Sequence, residues 1–192
     1  MGMPAADTEA GLMTAEQLEY IDIPGKVTEL IRGRLVVREP PSTWHGLVSA
    51  NVCYFISHFV RQRKLGDVFA QDTGFKIESN PDTVRAPDVA FLARERAATI
   101  PARGYAALAP DLAVEVRSPN DRTGELLAKV AAWLDAGVRI VWVIDPERRE
   151  ARVYRPDNSL TIVDAAGSLD GEDVLPGFRV SLADAIGTTP DA

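Results

Sequence analysis

The amino-acid sequence predicts an α/β fold in which a mixed β-sheet is flanked by helices. Three patterns support this prediction. Residues 27–38 have the alternation and central glycine of a β-hairpin. Residues 44–64 place apolar side chains at helical spacing over a wide stripe. Residues 112–144 have the pattern of strand, helix and apolar strand, which indicates a right-handed crossover between two parallel strands.

The remaining elements follow from local signals in chain order. Residues 14–17 form a capping-box pattern and predict a short helix over residues 15–20. Strands are expected over residues 68–71, 73–77, 89–93, 151–154 and 160–163. Residues 94–110 are poorly patterned and are expected to form a surface loop or lid, whereas residues 184–186 suggest a last helical turn.

Length and composition favour one domain. The chain has 192 residues, of which 46% are hydrophobic, so one sizeable core is expected over residues 13–188 after a disordered leader of residues 1–12. Its single cysteine, Cys53, excludes an internal disulfide framework, and two histidines make a structural zinc cluster a poor prediction. The sequence contains no apolar run near the ~20 residues of a membrane span and no basic leader of a signal peptide. We therefore expect a cytoplasmic protein without a membrane anchor.

The chain is acidic as a whole, but its acidic residues are concentrated near its two ends. A net charge of −7 argues at first sight against a nucleic-acid partner. Residues 1–24 contribute five acidic and no basic side chains, and residues 156–192 contribute seven acidic and one basic, so residues 25–155 carry a net charge of +4. The central segment is therefore compatible with a nucleic-acid substrate.

Two carboxylates fall at the ends of predicted strands, and a lysine lies on the helix that follows. Asp88 precedes one strand, Glu115 lies inside an apolar strand, and Lys129 lies on the next helix. Two buried carboxylates that converge repel each other unless a cation neutralises them. Mg²⁺ typically binds through one or two carboxylates together with a substrate phosphate. A metal held by Asp88, Glu115 and the Val116 carbonyl, with Lys129 orienting or deprotonating a water molecule, would make a phosphodiester hydrolase.

Spacing also allows a purely structural interpretation. Period-two geometry places Glu115 and Arg117 on one strand face, and Glu125 and Lys129 share one flank of the following helix. These residues could form ordinary ion pairs, and Asp88 could cap a turn. Because the crossover folds the helix over the sheet, Lys129 could instead reach the face that carries Glu115.

Several segments in combination match one family. Glu115 follows Pro87-Asp88 by 27 residues, and the related segments are residues 29–36, His45, residues 110–119, Lys129, residues 136–138 and residues 142–146. Over about residues 14–186 this combination resembles the Uma-type putative restriction endonuclease family of the PD-(D/E)XK nuclease superfamily.

The resemblance implies a restriction-endonuclease-like mixed sheet flanked by helices, with an N-terminal hairpin and a long helix. It implies Asp88 and Glu115 as metal ligands, Lys129 as the catalytic lysine, Mg²⁺ or Mn²⁺ as cofactor and DNA as substrate. A homodimer would suit the cleavage of two strands. The sequence departs from the pattern at two positions. Arg117 stands where the superfamily usually has a lysine two residues after the glutamate, and arginine cannot act as a base. Arg34 stands where the opening hairpin often has an acidic residue.

Four further residues are accessory candidates. Glu29 is a possible extra acid near the metal, and His45 is either an auxiliary acid–base group or a helix-start hydrogen-bonding group. Arg117 could bind phosphate, and Glu125 either holds Lys129 or forms a surface pair. Trp133 is expected in the core, with base stacking as the lesser alternative. Two other functions stay open: an inactive nuclease-fold binding module, and a phosphodiesterase acting on RNA or another substrate.

Overall fold

The computed structural model describes residues 11–119 and 121–187. Most of the predicted leader, and residue 188 at the predicted end of the domain, therefore lie outside the described residues. The helices and strands, in chain order, are α1 (Ala15–Leu18), β1 (Val27–Ile31), β2 (Arg34–Arg38), α2 (Thr43–Arg63), β3 (Gly66–Ala70), β4 (Phe75–Glu78), β5 (Thr83–Arg85), β6 (Val89–Ala93), α3 (Arg94–Ala97), β7 (Leu112–Val116), α4 (Thr123–Asp135), β8 (Ile140–Asp145), β9 (Glu150–Tyr154), β10 (Leu160–Val163), β11 (Ser168–Asp170), β12 (Arg179–Ser181) and α5 (Leu182–Ile186).

The strands form two main sheets. A four-stranded sheet has the order β2-β1-β5-β4, and a six-stranded sheet has the order β10-β9-β8-β7-β6-β3. In the larger sheet β7 and β8 are parallel, while the other neighbouring pairs are antiparallel. The helix α4 connects β7 to β8, as the strand–helix–strand pattern predicts. The mixed sheet is confirmed.

Helices cover both faces of the six-stranded sheet. On one face, the apolar stripe of α2 packs against β6, β7 and β8; its buried members are Val48, Val52, Ile56 and Val60. On the other face, Val130 and Trp133 of α4 pack against Ala113 and Val141. Every residue of β7 is buried, so a carboxylate on this strand is held away from solvent.

Four short elements were not predicted from the sequence. The strand β5 (Thr83–Arg85) lies between the predicted strands 73–77 and 89–93, the helix α3 lies in the predicted loop of residues 94–110, and β11 and β12 pair near the C-terminal end of the described chain. Each has only three or four residues. Strand β5 forms because it pairs with β1, which is distant in sequence, and with β4. The predicted strand 73–77 begins at Phe75 and ends at Glu78.

None of the helices formed by the described residues has the length and apolar character needed to cross a membrane.

Gly66, at the first position of β3, is predicted to tolerate no side chain. Its φ is +157°, and a Cβ atom would lie 1.9 Å from the Leu92 carbonyl oxygen of the neighbouring strand. Gly66→Ala should lower the free energy of unfolding by about 3 kcal/mol or more, because backbone atoms must move apart. Urea denaturation measures this change.

Gly124 in α4 provides the matched control, since a Cβ atom there would meet nothing within 4 Å. Gly124→Ala should stabilise the protein by about 0.5–1 kcal/mol through helix propensity. Equal stability of the two variants would contradict the close approach of β3 and β6.

Candidate active site

The ammonium group of Lys129 lies where the two sheets meet. Its Nζ donates hydrogen bonds to Glu115 Oε2 at 2.8 Å and to the Ala86 carbonyl at 2.9 Å, and it lies 3.6 Å from Glu29 Oε1. Glu29 belongs to β1 of the four-stranded sheet, and Glu115 belongs to β7 of the six-stranded sheet. The crossover therefore delivers Lys129 to the strand face that carries Glu115, as predicted.

Glu115 is a buried carboxylate with both oxygens engaged. Its side chain is 6% exposed, Oε2 accepts from Lys129, and Oε1 accepts from Trp133 Nε1 at 2.7 Å. Burial raises the pKa of Glu115 to about 7; the Lys129 ammonium opposes this shift, and the nearby charge of Asp88 adds to it. Glu115 therefore holds a proton more readily than an exposed carboxylate does.

Lys129 itself keeps its proton. Burial alone would lower the pKa of its ammonium group, but the carboxylates of Glu115, Glu29 and Asp88 outweigh burial and raise that pKa above its ordinary value. In this arrangement Lys129 is a cation and a hydrogen-bond donor.

Asp88 lies directly before β6 and is hydrogen-bonded to the neighbouring strand, β7. Its backbone N–H donates to the Val114 carbonyl at 2.9 Å, and its Oδ2 accepts from the Val116 N–H at 2.6 Å. The same Oδ2 lies 3.3 Å from His45 Nε2. Because these contacts share one oxygen, Oδ1 is the better placed of the two to accept a further ligand.

His45 reaches Asp88 from the first turn of α2. Ser42 caps this helix, since its hydroxyl accepts from the His45 N–H at 3.3 Å. The imidazole is buried, and its Nδ1 lies 3.5 Å from the Ser49 hydroxyl. Burial lowers the pKa of His45, but the hydrogen bond and charge of Asp88, together with the Val116 backbone, raise it above the ordinary value. His45 is therefore a hydrogen-bonding residue at the start of α2, and it also contacts Asp88, the candidate metal ligand.

Glu29 is as buried as Glu115 but differs in its partners. It accepts a hydrogen bond from the Ala86 N–H at 3.0 Å and from Arg38 Nε at 3.2 Å, and Arg85 Nη1 lies 3.8 Å away. Burial raises the pKa of Glu29, yet Lys129, the Ala86 N–H and the two arginines together hold it below the ordinary value. Of the two buried acids beside Lys129, Glu29 is therefore the one whose surroundings favour the ionised form.

These side chains line one cleft of about 480 Å³. Its lining includes Glu29, Arg38, His45, Asp88, Glu115 and Lys129, together with four further acidic side chains, Glu39, Asp72, Asp121 and Glu125. Five of the residues singled out from the sequence therefore meet at one surface: Asp88, Glu115, Lys129, Glu29 and His45. The Val116 backbone also lines this cleft, and the role of its carbonyl as a ligand stays a prediction.

Two accessory candidates do not join this group. Arg117 donates to Asp145 Oδ2 at 2.9 Å and lines a neighbouring pocket, so the alternative of an ion pair between Glu115 and Arg117 is wrong. The strand ends at Val116, so alternation no longer governs the direction of the next side chain. Glu125 borders the cleft but is exposed, and it forms an ion pair with Arg122 at 3.6 Å, so the surface-pair alternative is correct.

Sequence reasoning missed two groups that touch the site. Trp133, expected in the core with base stacking as the lesser alternative, donates to Glu115, and Arg38 at the end of β2 donates to Glu29. The spacing contained a signal for Trp133, because residues four apart on a helix share a face and Trp133 is four residues after Lys129. A signal for Arg38 was also present, because the predicted hairpin pairs Glu29 with Val36 and so places Arg38 diagonally across from Glu29 on the same face.

Asp88 and Glu115 would provide only part of the coordination sphere of a divalent cation such as Mg²⁺. Within residues 11–119 and 121–187, no group of three or more His, Cys, Asp or Glu is arranged to hold a metal ion. Asp88 and Glu115 are carboxylates at one cleft, which matches the one or two protein ligands that Mg²⁺ usually takes. Water and phosphate oxygens would complete its coordination, and Glu115 would exchange one of its hydrogen bonds.

Comparison with known proteins places the chain in a family. The model of the Uma2 family, described as putative restriction endonuclease, matches residues 14–183. The chain belongs to the Uma2 family. This confirms the family resemblance drawn from the hairpin, the carboxylate motifs and the helical lysine.

A solved structure confirms the fold. A putative nuclease belonging to DUF820 from Anabaena variabilis ATCC 29413 superposes with a TM-score of 0.77 at 19% sequence identity, covering 91% of this chain and 97% of that chain. The protein therefore has a restriction-endonuclease-like nuclease fold. No curated protein matches the chain.

Trp133→Phe is predicted to destabilise the protein more than Trp142→Phe. Both indoles are fully buried, but Trp133 Nε1 bonds to Glu115, whereas Trp142 Nε1 has no hydrogen-bond partner among the described residues. Loss of the donor leaves a buried carboxylate oxygen unpaired, so the excess cost should be about 1–3 kcal/mol. Denaturant unfolding of both variants measures it, and equal costs would argue against an energetic role for this bond.

Glu115 predicts a pH dependence of stability in metal-free buffer. Because its pKa is raised to about 7 in the folded state, the folded protein holds this proton more tightly than the unfolded chain. The resulting stabilisation is complete below the ordinary pKa of 4.5 and is lost as the pH rises through about 7. Glu115→Gln should therefore gain stability relative to wild type over this window, as thermal unfolding in EDTA would reveal.

Glu125→Gln, at the exposed rim, is the control and should leave the pH profile unchanged. A wild-type profile parallel to that of Glu115→Gln would contradict the raised pKa of Glu115.

Proposed function

We propose that the protein is a metal-dependent endonuclease that hydrolyses DNA phosphodiester bonds in this cleft. The observation that carries the proposal is the meeting of Asp88, Glu115 and Lys129 at one cleft. Membership of a family of putative restriction endonucleases and the likeness to a putative nuclease support it.

Asp88 and Glu115 would hold Mg²⁺ or Mn²⁺, with the Val116 carbonyl as a further ligand. When bound, such an ion activates water and neutralises charge that develops on a phosphoryl group. The chain contributes the position of these ligands: Asp88 is fixed to β7 through the Val114 and Val116 backbone, and Glu115 is fixed through Trp133.

Lys129 would stabilise the transition state by donating a hydrogen bond to a phosphate oxygen. The sequence left two roles open for Lys129, orienting a water molecule or deprotonating it. Because its pKa is raised, Lys129 is a poor general base, which supports orientation of the water together with stabilisation of developing charge. A phosphate oxygen would take the place of one carboxylate oxygen beside its Nζ.

Basic groups at the cleft would contact phosphate, while a bound divalent cation would offset the acidic side chains that also line it. Arg38 is 38% exposed at the cleft, and His45 lines its floor with a raised pKa. Arg117, in the neighbouring pocket, would contact a phosphate further along the strand. Two copies of the chain in a homodimer would cut the two strands of a duplex.

The test is nicking of supercoiled plasmid DNA in Mg²⁺ or Mn²⁺ by wild type and by Lys129→Met. The variant should nick at least about 100-fold more slowly, because it loses a donor to the developing charge. Calorimetric titration with Mn²⁺ should show that both proteins still bind the ion. Wild-type protein that nicks with neither ion would refute the endonuclease proposal.

Lys76→Met provides the matched control. Lys76 is similarly buried and pairs with a carboxylate, Asp82, at 2.8 Å, but it does not line the cleft. This variant should nick at the wild-type rate. Equal nicking by the Lys129 and Lys76 variants would remove Lys129 from the mechanism.

A second candidate function is nucleic-acid binding without hydrolysis. The engagement of both Glu115 oxygens by Lys129 and Trp133 favours it, because a metal ion must displace one of these contacts. Oligonucleotide binding without detectable Mn²⁺ binding would support this function. Cleavage of single-stranded RNA in preference to DNA would instead indicate a ribonuclease.

A further inference from the structure

A second groove opens directly beside the candidate active site. It has a volume of about 380 Å³ and lies between α2 and the end of β3. Gln71 and Asp88 line both this groove and the candidate cleft. A polymer that passes over Asp88 can therefore continue into the groove along the protein surface.

Tyr54 presents an aromatic face at this groove. The residue is 62% exposed, although large apolar side chains usually lie inside a protein. Its ring is stacked on His58 with centroids 5.8 Å apart and contacts Phe55 edge-on at 5.4 Å. The neighbours hold the ring in place, so stacking a planar group on it requires little further ordering.

The charge of α2 suits a phosphodiester strand. This helix of 21 residues contains no acidic residue, in a chain that has 28 of them. Tyr54, His58 and Arg61 recur at intervals of four and three residues, so they form one exposed stripe that ends in basic side chains. Arg63 and Lys64 follow at the exposed end of the helix.

We propose that the Tyr54 groove binds an unpaired base next to the phosphate held in the candidate cleft. Aromatic side chains beside basic ones are the usual means of binding single-stranded nucleic acid, because every base has a face that can stack. This inference rests on the proposed function and narrows its substrate to DNA with an unpaired segment at the cleft. The continuity of the two cavities and the absence of acids on α2 carry the argument.

The experiment measures binding to a fluorescein-labelled oligothymidine of about 16 nucleotides by anisotropy, in EDTA so that no cleavage occurs. Wild type should bind the single strand more tightly than the matching duplex. Tyr54→Ala should weaken single-strand binding about tenfold or more, and Tyr54→Phe should restore it because the stacking face returns.

Tyr20→Ala controls for loss of an exposed tyrosine, since Tyr20 is 87% exposed and does not line the groove. It should bind as wild type does. If Tyr54→Ala fails to fold, Tyr54→Leu replaces it, because leucine keeps an apolar side chain without an aromatic face.

Single-strand binding that is unchanged in the alanine or leucine variant would overturn the inference, as would an equal loss for single strand and duplex. A variant that changes only the oligomeric state in gel filtration would show that a second copy covers Tyr54, which also overturns it. Wild-type plasmid nicking is scored separately. If wild type nicks DNA but binding does not depend on Tyr54, the inference about the groove fails and the endonuclease proposal stands. If binding depends on Tyr54 but wild type does not nick DNA, the endonuclease proposal fails and the inference about the groove stands.

Discussion

The ammonium group of Lys129 is the contact on which the arrangement of the site depends. From α4 it donates hydrogen bonds to Glu115 in the six-stranded sheet and to the Ala86 carbonyl in the connection between the sheets. It also forms an ion pair with Glu29 in the four-stranded sheet. Without a cation at this point, the buried carboxylate of Glu115 would lose its charged partner, which is strongly unfavourable. The same residue therefore holds the tertiary structure together and supplies the positive charge of the candidate site.

Glu29 and Glu115 show how hydrogen bonding divides the roles of two equally buried acids. Besides Lys129, Glu29 has a backbone N–H, Arg38 and Arg85 as partners, and together they favour its ionised form. Glu115 shares the single charge of Lys129 with its neighbours and faces Asp88, so its ionised form is less well compensated. An incoming cation gains more from Glu115 than from Glu29. This favours Glu115 as the metal ligand and Glu29 as the group that positions Lys129.

Sequence reasoning located the elements whose signal is local and missed those that depend on distant partners. The apolar runs of β7 and β8 and the periodic stripe of α4 are long enough to predict the crossover, and the crossover by itself brings Lys129 to Glu115. Strand β5 has three residues and exists through its pairing with β1 and β4. Arg117 was misplaced because alternation was extended one residue beyond the strand, where Asp145 determines the direction of the side chain.

Charge balance connects this geometry to the kind of ligand that the cleft can accept. Among the described residues, the cleft is lined by seven acidic side chains and, besides His45, by two basic ones, Arg38 and Lys129; the acids are Glu29, Glu39, Asp72, Asp88, Glu115, Asp121 and Glu125. The lining therefore has an excess of carboxylates, which a divalent cation would offset. A polyanion alone would be repelled by these carboxylates. The cleft of a chain with a net charge of −7 therefore suits a phosphodiester better together with a divalent cation than alone.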